Sequence, residues 1–106
     1  QYLDLMKAAG FEKEATTGAA GWTAAEVTVA ILKQAQASPQ GLTRASIINA
    51  ARNFTYTPML ARDGVVDKSM GESDPYLAES LQVLQYDATK KVFNDIGSLI
   101  TDFETK

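Results

Sequence analysis

Thirteen Asp and Glu and ten Lys and Arg side chains carry the acid–base chemistry of this sequence, because its 106 residues include no His and no Cys. Ser-His-Asp and Cys-His catalysis are therefore impossible within the chain, as is an ordinary zinc site. An enzyme would have to work with carboxylates or Lys alone. The acidic residues offer pairs such as Asp63/Asp67 and Glu72/Asp74, but both stand in polar, turn-rich sequence where paired carboxylates are solvated surface. Asp67-Lys68-Ser69-Met70-Gly71-Glu72-Ser73 starts like a calcium loop, yet Glu72 occupies the sixth position, where the sharp turn demands Gly. Gly18-Ala19-Ala20-Gly21 ahead of a helix start offers free amides to an anion, without the Lys of a P-loop or the spacing of a dinucleotide fingerprint, and reads as a plain turn. Trp22, the sole Trp, is expected to pack as a core residue. No catalytic residue, metal or cofactor is nominated.

Composition narrows the class further. With 45% hydrophobic and 22% charged residues the chain has globular composition, enough for one domain at most. A net charge of -3, with basic residues scattered, leaves no electrostatic footprint for DNA or RNA. No basic segment leads into an apolar signal core, and no apolar run approaches the roughly 20 residues of a membrane span. The start at Gln1, without Met, leads us to expect a segment cut from a longer protein.

The elements that must position these groups follow from periodicity and caps. Tyr2, Leu3, Leu5, Met6 and Ala9 repeat at helical spacing, and Gly10 stands where a left-handed C-cap belongs. Residues 12 to 21 lose periodicity and are expected to be irregular. Thr23 and Glu26 have the spacing of a capping box, with Trp22 and Val27 as its hydrophobic staple, which predicts a helix from about Ala24 to Ala37. Ala24, Val27, Ile31 and Ala35 form its buried stripe, and Pro39-Gln40-Gly41 ends it. Thr43 caps a third helix running to about Asn53, with Leu42 and Ile47 as staple. Phe54 to Pro75 reads as a long loop with Met59-Leu60 and Val65-Val66 as short extended pieces. Ser80 to Tyr86 admits a helix capped by Asp74 and begun by Pro75. A strand is favoured, with a turn at Asp87-Ala88-Thr89 and a return through Lys91, Val92 and Phe93. Ile96 to Phe103 is expected as an apolar tail. The fold class is α+β, with about three helices followed by a long loop and a C-terminal β-hairpin.

In that order the chain resembles the C-terminal part of the type I periplasmic binding proteins of the branched-chain amino acid transporter family. The resemblance rests on the Gly21-Trp22 step into a long helix, on Gly41-Leu42-Thr43-Arg44 opening a short one, and on Leu81-Gln82-Val83-Leu84-Gln85-Tyr86-Asp87 beginning a terminal hairpin. It covers all 106 residues and departs in having Trp22 where Tyr is usual. It implies a part-domain of a two-lobed α/β protein that closes on an amino-acid-like solute. Such a protein delivers its solute to the permease of an ABC importer outside the cytoplasmic membrane, periplasmic or lipid-anchored. It places Thr17, Gly18, Ala19 and Trp22 near the ligand cleft and leaves most ligand contacts upstream. The same fold also serves as the sensing lobe of receptors or amide-responsive regulators. A ligand-free protein-interaction domain is the alternative of another class. The part-domain reading further implies exposed apolar stripes and self-association of the isolated segment.

Overall fold

The structure, a computed structural model, describes residues 1–71, 73–74 and 76–101. The Glu72/Asp74 pair, the sixth position of the rejected calcium loop, Pro75 as a helix start and the end of the apolar tail at Phe103 involve residues outside these. Among the described residues the chain is α+β, with three α-helices and two antiparallel two-stranded sheets. It divides into two units, Gln1–Ala50 with Pro58–Leu60, and Ala51–Thr57 with Ala61–Lys106.

In the first unit, α1 spans Tyr2–Ala8 and ends as its Gly requires. Gly10 adopts φ +80° and donates its N–H to Lys7 O at 3.0 Å, while the Phe11 N–H reaches Met6 O at 2.8 Å. This is the Schellman pairing, which satisfies two carbonyls that helix geometry leaves open. A single 3-10 turn, Glu12–Glu14, leads directly into α2, Ala15–Gln36.

The helix thus begins nine residues before the expected Ala24, and the irregular link at 12 to 21 does not exist. Thr23 and Glu26 lie inside α2, where their amides belong to the helix ladder, so the capping box does not form and Trp22 and Val27 are no staple. Five Ala between positions 15 and 25 favour the helix. The two Gly at 18 and 21 oppose it by about 1 kcal/mol each, and packing overrides that local preference. The Glu26 carboxylate accepts the Met59 N–H instead, at 3.0 and 3.3 Å.

The chain leaves α2 as expected. The Ser38 hydroxyl donates to Ala35 O at 2.7 Å, and Gly41 turns the chain at φ +60°. The predicted N-cap of α3, Arg44–Arg52, is present. Thr43 Oγ1 accepts the Ser46 N–H at 3.1 Å and Ser46 Oγ accepts the Thr43 N–H at 3.0 Å, so Ser46 fills the capping-box role usually taken by Glu. Tyr2, Ala15, Ala35, Ser46 and Ala50 are buried, and Ala35 is only 1% exposed.

The second unit opens on β1, Asn53–Tyr56, paired antiparallel with β2, Asp67–Met70, in the register Asn53↔Met70 to Tyr56↔Asp67. This stretch was expected as a long loop with short extended pieces, but the extended residues are not the expected ones, since Met59-Leu60 lies in a turn and Val65-Val66 precedes β2. Phe54 and Tyr56, two apart and hence on one face, stack with ring centroids 5.6 Å apart. Phe54 is 3% exposed. Asp67-Lys68-Ser69 has little β propensity of its own. It is held by β1, by Lys68 N–H to Leu77 O at 2.9 Å, and by the Ser69 hydroxyl on Ala51 O at 2.5 Å.

The hairpin of β3, Leu81–Asp87, and β4, Val92–Ile100, matches the predicted strand, with Asp87 opposite Val92 and Tyr86 opposite Phe93, but its turn runs over residues 88–91, so Asp87 ends β3 and Lys91 belongs to the turn rather than to the return strand. The expected tail from Ile96 is instead the second half of β4 as far as Ile100. Asp87 Oδ1 accepts the Thr89 and Lys90 N–H groups at 2.9 and 3.0 Å, which closes the turn from a side chain. Lys91 then takes φ +54°, the one left-handed non-glycine residue among those described.

Candidate functional site

The four residues that the resemblance assigns to a cleft all lie in the first two turns of α2, and the helix does not aim them at one point. Gly18 and Trp22 are four apart and share a face, whereas Thr17 and Ala19 stand about 100° to either side of Gly18. The Gly18 and Trp22 face packs on α1. The Tyr2 hydroxyl donates to Ala15 O, and its ring tilts at 58° against the Trp22 indole with centroids 5.3 Å apart. Gly18 is the residue that admits this approach. A Cβ there would sit 2.8 Å from the Tyr2 hydroxyl oxygen and 3.0 Å from Met6 Cε.

Thr17 is exposed and Ala19 half-buried. The Trp22 Nε1–H is buried and finds no acceptor among the described residues. The backbone amides of 18 to 21 are spent on helix hydrogen bonds past the first turn, so neither the anion cradle nor the plain turn read from Gly18-Ala19-Ala20-Gly21 is present.

A second concavity, unanticipated from sequence, lies within the same unit where the C-terminal turn of α2 meets α3. Its volume is about 370 Å³ and its lining includes Gln34, Ser38, Gln40, Ser46 and Asn49, which are hydroxyls and amides with no ionised group. Chemically it can offer neutral hydrogen bonds only. Its Ser46 hydroxyl is already committed to Gly41 O and to Thr43.

Among the described residues of the second unit, two carboxylates have displaced ionisation. Burial pushes Asp67 above the ordinary carboxylate value. The hydrogen bond from Arg62 Nη1, at 2.5 Å, holds Asp95 below it. Among the described residues no three His, Cys, Asp or Glu gather as a metal site. No helix there is long and apolar enough to cross a membrane. Compared with known proteins, the chain matches no family model, no curated protein and no solved structure.

Proposed function

We propose that the chain is the C-terminal segment of a type I solute-binding protein that captures an amino-acid-like molecule between two lobes and hands it to the permease of an ABC importer. One observation carries the part-domain reading: among the described residues, well-formed elements display exposed apolar side chains. Apolar side chains are spread around α2 rather than confined to a stripe, the pattern of a helix enclosed in a larger protein. Val29 and Leu32 are nonetheless exposed, as are Leu81, Val83, Tyr86, Phe93, Ile96 and Ile100 along both hairpin strands. Apolar patches of this kind mark surfaces built to be covered. The Trp22 Nε1–H is a buried donor that a further segment of such a protein can satisfy.

The succession of helix, long helix, short helix, small ladder and terminal hairpin supports the family assignment by resemblance alone. In this reading the protein is exported, works outside the cytoplasmic membrane and is not an enzyme. Thr17 and Ala19 flank the cleft, while Gly18 and Trp22 set the packing beneath it. Ligand binding selects or drives hinge closure of the lobes.

The test is a thermal-shift panel on the intact protein with aliphatic and aromatic amino acids, amides and aromatic acids. A true ligand at about 100 times its Kd adds roughly 2.7 kcal/mol of stability. A shift confined to one solute class supports the proposal and identifies the cargo class. Absence of any shift, with residues 1–106 folding alone as a stable monomer, overturns it in favour of an interaction domain.

A further inference from the structure

The turn that precedes β2 carries chemistry of its own. Val65 N–H bonds back to Arg62 O at 3.1 Å, with Asp63 and Gly64 at the two central positions and Gly64 at φ +88°. Asp63 has no positive φ, so the turn is type II, which demands Gly at its third residue. The turn is exposed at Asp63 and tied down on either side. Arg62 Nη1 bonds Asp95 on β4 at 2.5 Å, and a Cβ at Gly64 would touch Leu99 at 3.6 Å.

We propose that Asp63-Gly64 is a site of spontaneous isoaspartate formation, gated by the Arg62–Asp95 pair, and that its product is a substrate for isoaspartate-specific methyl transfer. The Gly64 amide nitrogen attacks Cγ of the Asp63 carboxylic acid, the C–OH bond breaks, and the hydroxyl leaves with the amide proton as water, closing a succinimide. Water then adds at the Asp63 α-carbonyl and breaks its bond to nitrogen, so the chain runs through Cγ and the α-carboxyl is freed. One water leaves and one returns, with no oxidant or cofactor. Gly is the follower that permits this, because it has no Cβ to obstruct the attacking nitrogen. Asp67-Lys68, Asp87-Ala88 and Asp95-Ile96 all carry one. In the type II turn, ψ of Asp63 near +120° aims the Gly64 nitrogen away from Cγ. The reaction therefore proceeds from opened turns, and the ion pair on the preceding residue restrains opening.

The experiment ages the purified protein at neutral pH, digests it with a Lys-specific protease and assays the fragment 34–68 by methylation with an isoaspartyl methyltransferase and by fragment-ion mass spectrometry. Isoaspartate is expected at Asp63 at roughly tenfold or more the level at Asp67, which lies in the same fragment, as the Gly follower dictates. Asp63→Glu, which keeps the charge but needs a six-membered ring, is expected to lose the signal. Asp95→Ala leaves the reacting atoms intact and is expected to raise the rate about two- to fivefold, the worth of an exposed ion pair. Isoaspartate no more abundant at Asp63 than at Asp67, or methylation that persists in Asp63→Glu, overturns the site. An Asp95→Ala rate equal to or below that of the parent overturns the gate.

Discussion

Substituting Gly18 by Ala tests whether a tertiary contact, rather than helix propensity, dictates the residue at that position. Propensity alone favours Ala inside a helix by about 1 kcal/mol. Against this, the new methyl carbon would lie 2.8 Å from the Tyr2 hydroxyl oxygen, well inside contact distance. That oxygen is the end of a rigid ring, is buried, and donates to Ala15 O. Displacing it weakens a hydrogen bond worth about 0.5–1.5 kcal/mol and overpacks the α1–α2 contact by a further 1–3 kcal/mol or so. We expect Gly18→Ala to destabilise the chain by about 1–3 kcal/mol net. In a Tyr2→Phe background the nearest neighbour is gone, and what remains is Met6 Cε at 3.0 Å, a flexible tip that can swing aside. There Gly18→Ala is expected to be neutral or stabilising, giving a coupling of at least about 1 kcal/mol between the two positions. Urea denaturation followed by far-UV circular dichroism and by the fluorescence of Trp22 reads both. The sole Trp lies against the Tyr2 ring and reports on this cluster directly. A stabilising Gly18→Ala with Tyr2 present, or an equal effect in both backgrounds, refutes the packing argument.

Thr43→Ala should lower stability by about 1 kcal/mol through loss of the α3 N-cap, whereas Thr43→Ser should retain most of it; thermal denaturation of the two variants separates cap loss from general damage. Burial raises the folded-state value of Asp67, so the folded chain binds more protons than the unfolded one between the ordinary carboxylate value and the raised one. Stability should therefore fall as pH rises through that window, and Asp67→Asn should remove the fall and stabilise at neutral pH; denaturation midpoints from pH 3 to 7 or so show the slope. Asp95 acts oppositely, its contribution being present above the ordinary carboxylate value and lost as pH falls through the depressed one. Lys91→Gly should stabilise the hairpin by up to about 1 kcal/mol, because Lys91 holds a left-handed backbone that an L side chain disfavours, with Lys91→Val shifting the melting temperature the other way.

Where sequence reading succeeded, the signal was local and the deciding atoms were within a few residues of one another. Gly10 at the end of α1, Thr43 at the start of α3 and the Asp87 turn of the hairpin each satisfy backbone groups two to five positions away, so residue type and spacing predict them. Where it failed, a local signal competed with a distant partner. Thr23 and Glu26 form a sound capping pattern, but α2 had already started at Ala15, and Glu26 bonds Met59, 33 positions further on. Placing β2 required knowing what β1 and the Leu77 carbonyl would offer, since Asp67-Lys68-Ser69 carries little strand preference. Of the candidate cleft residues, sequence and resemblance supplied the names, while the structure decided that Gly18 and Trp22 face α1 together and that Thr17 and Ala19 do not join them.

By itself, the sequence determined the α+β class, the caps and turns that punctuate it, and the exclusion of His- and Cys-based chemistry, because each depends on composition or on atoms close along the chain. Only the tertiary structure decided that a Gly-rich link would be the first turns of a 22-residue helix, since the closeness of Tyr2 to Gly18 is a contact between elements. It alone decided which apolar faces stay open. Periodicity marks a face as apolar, but whether that face meets a partner depends on what else the chain brings to it.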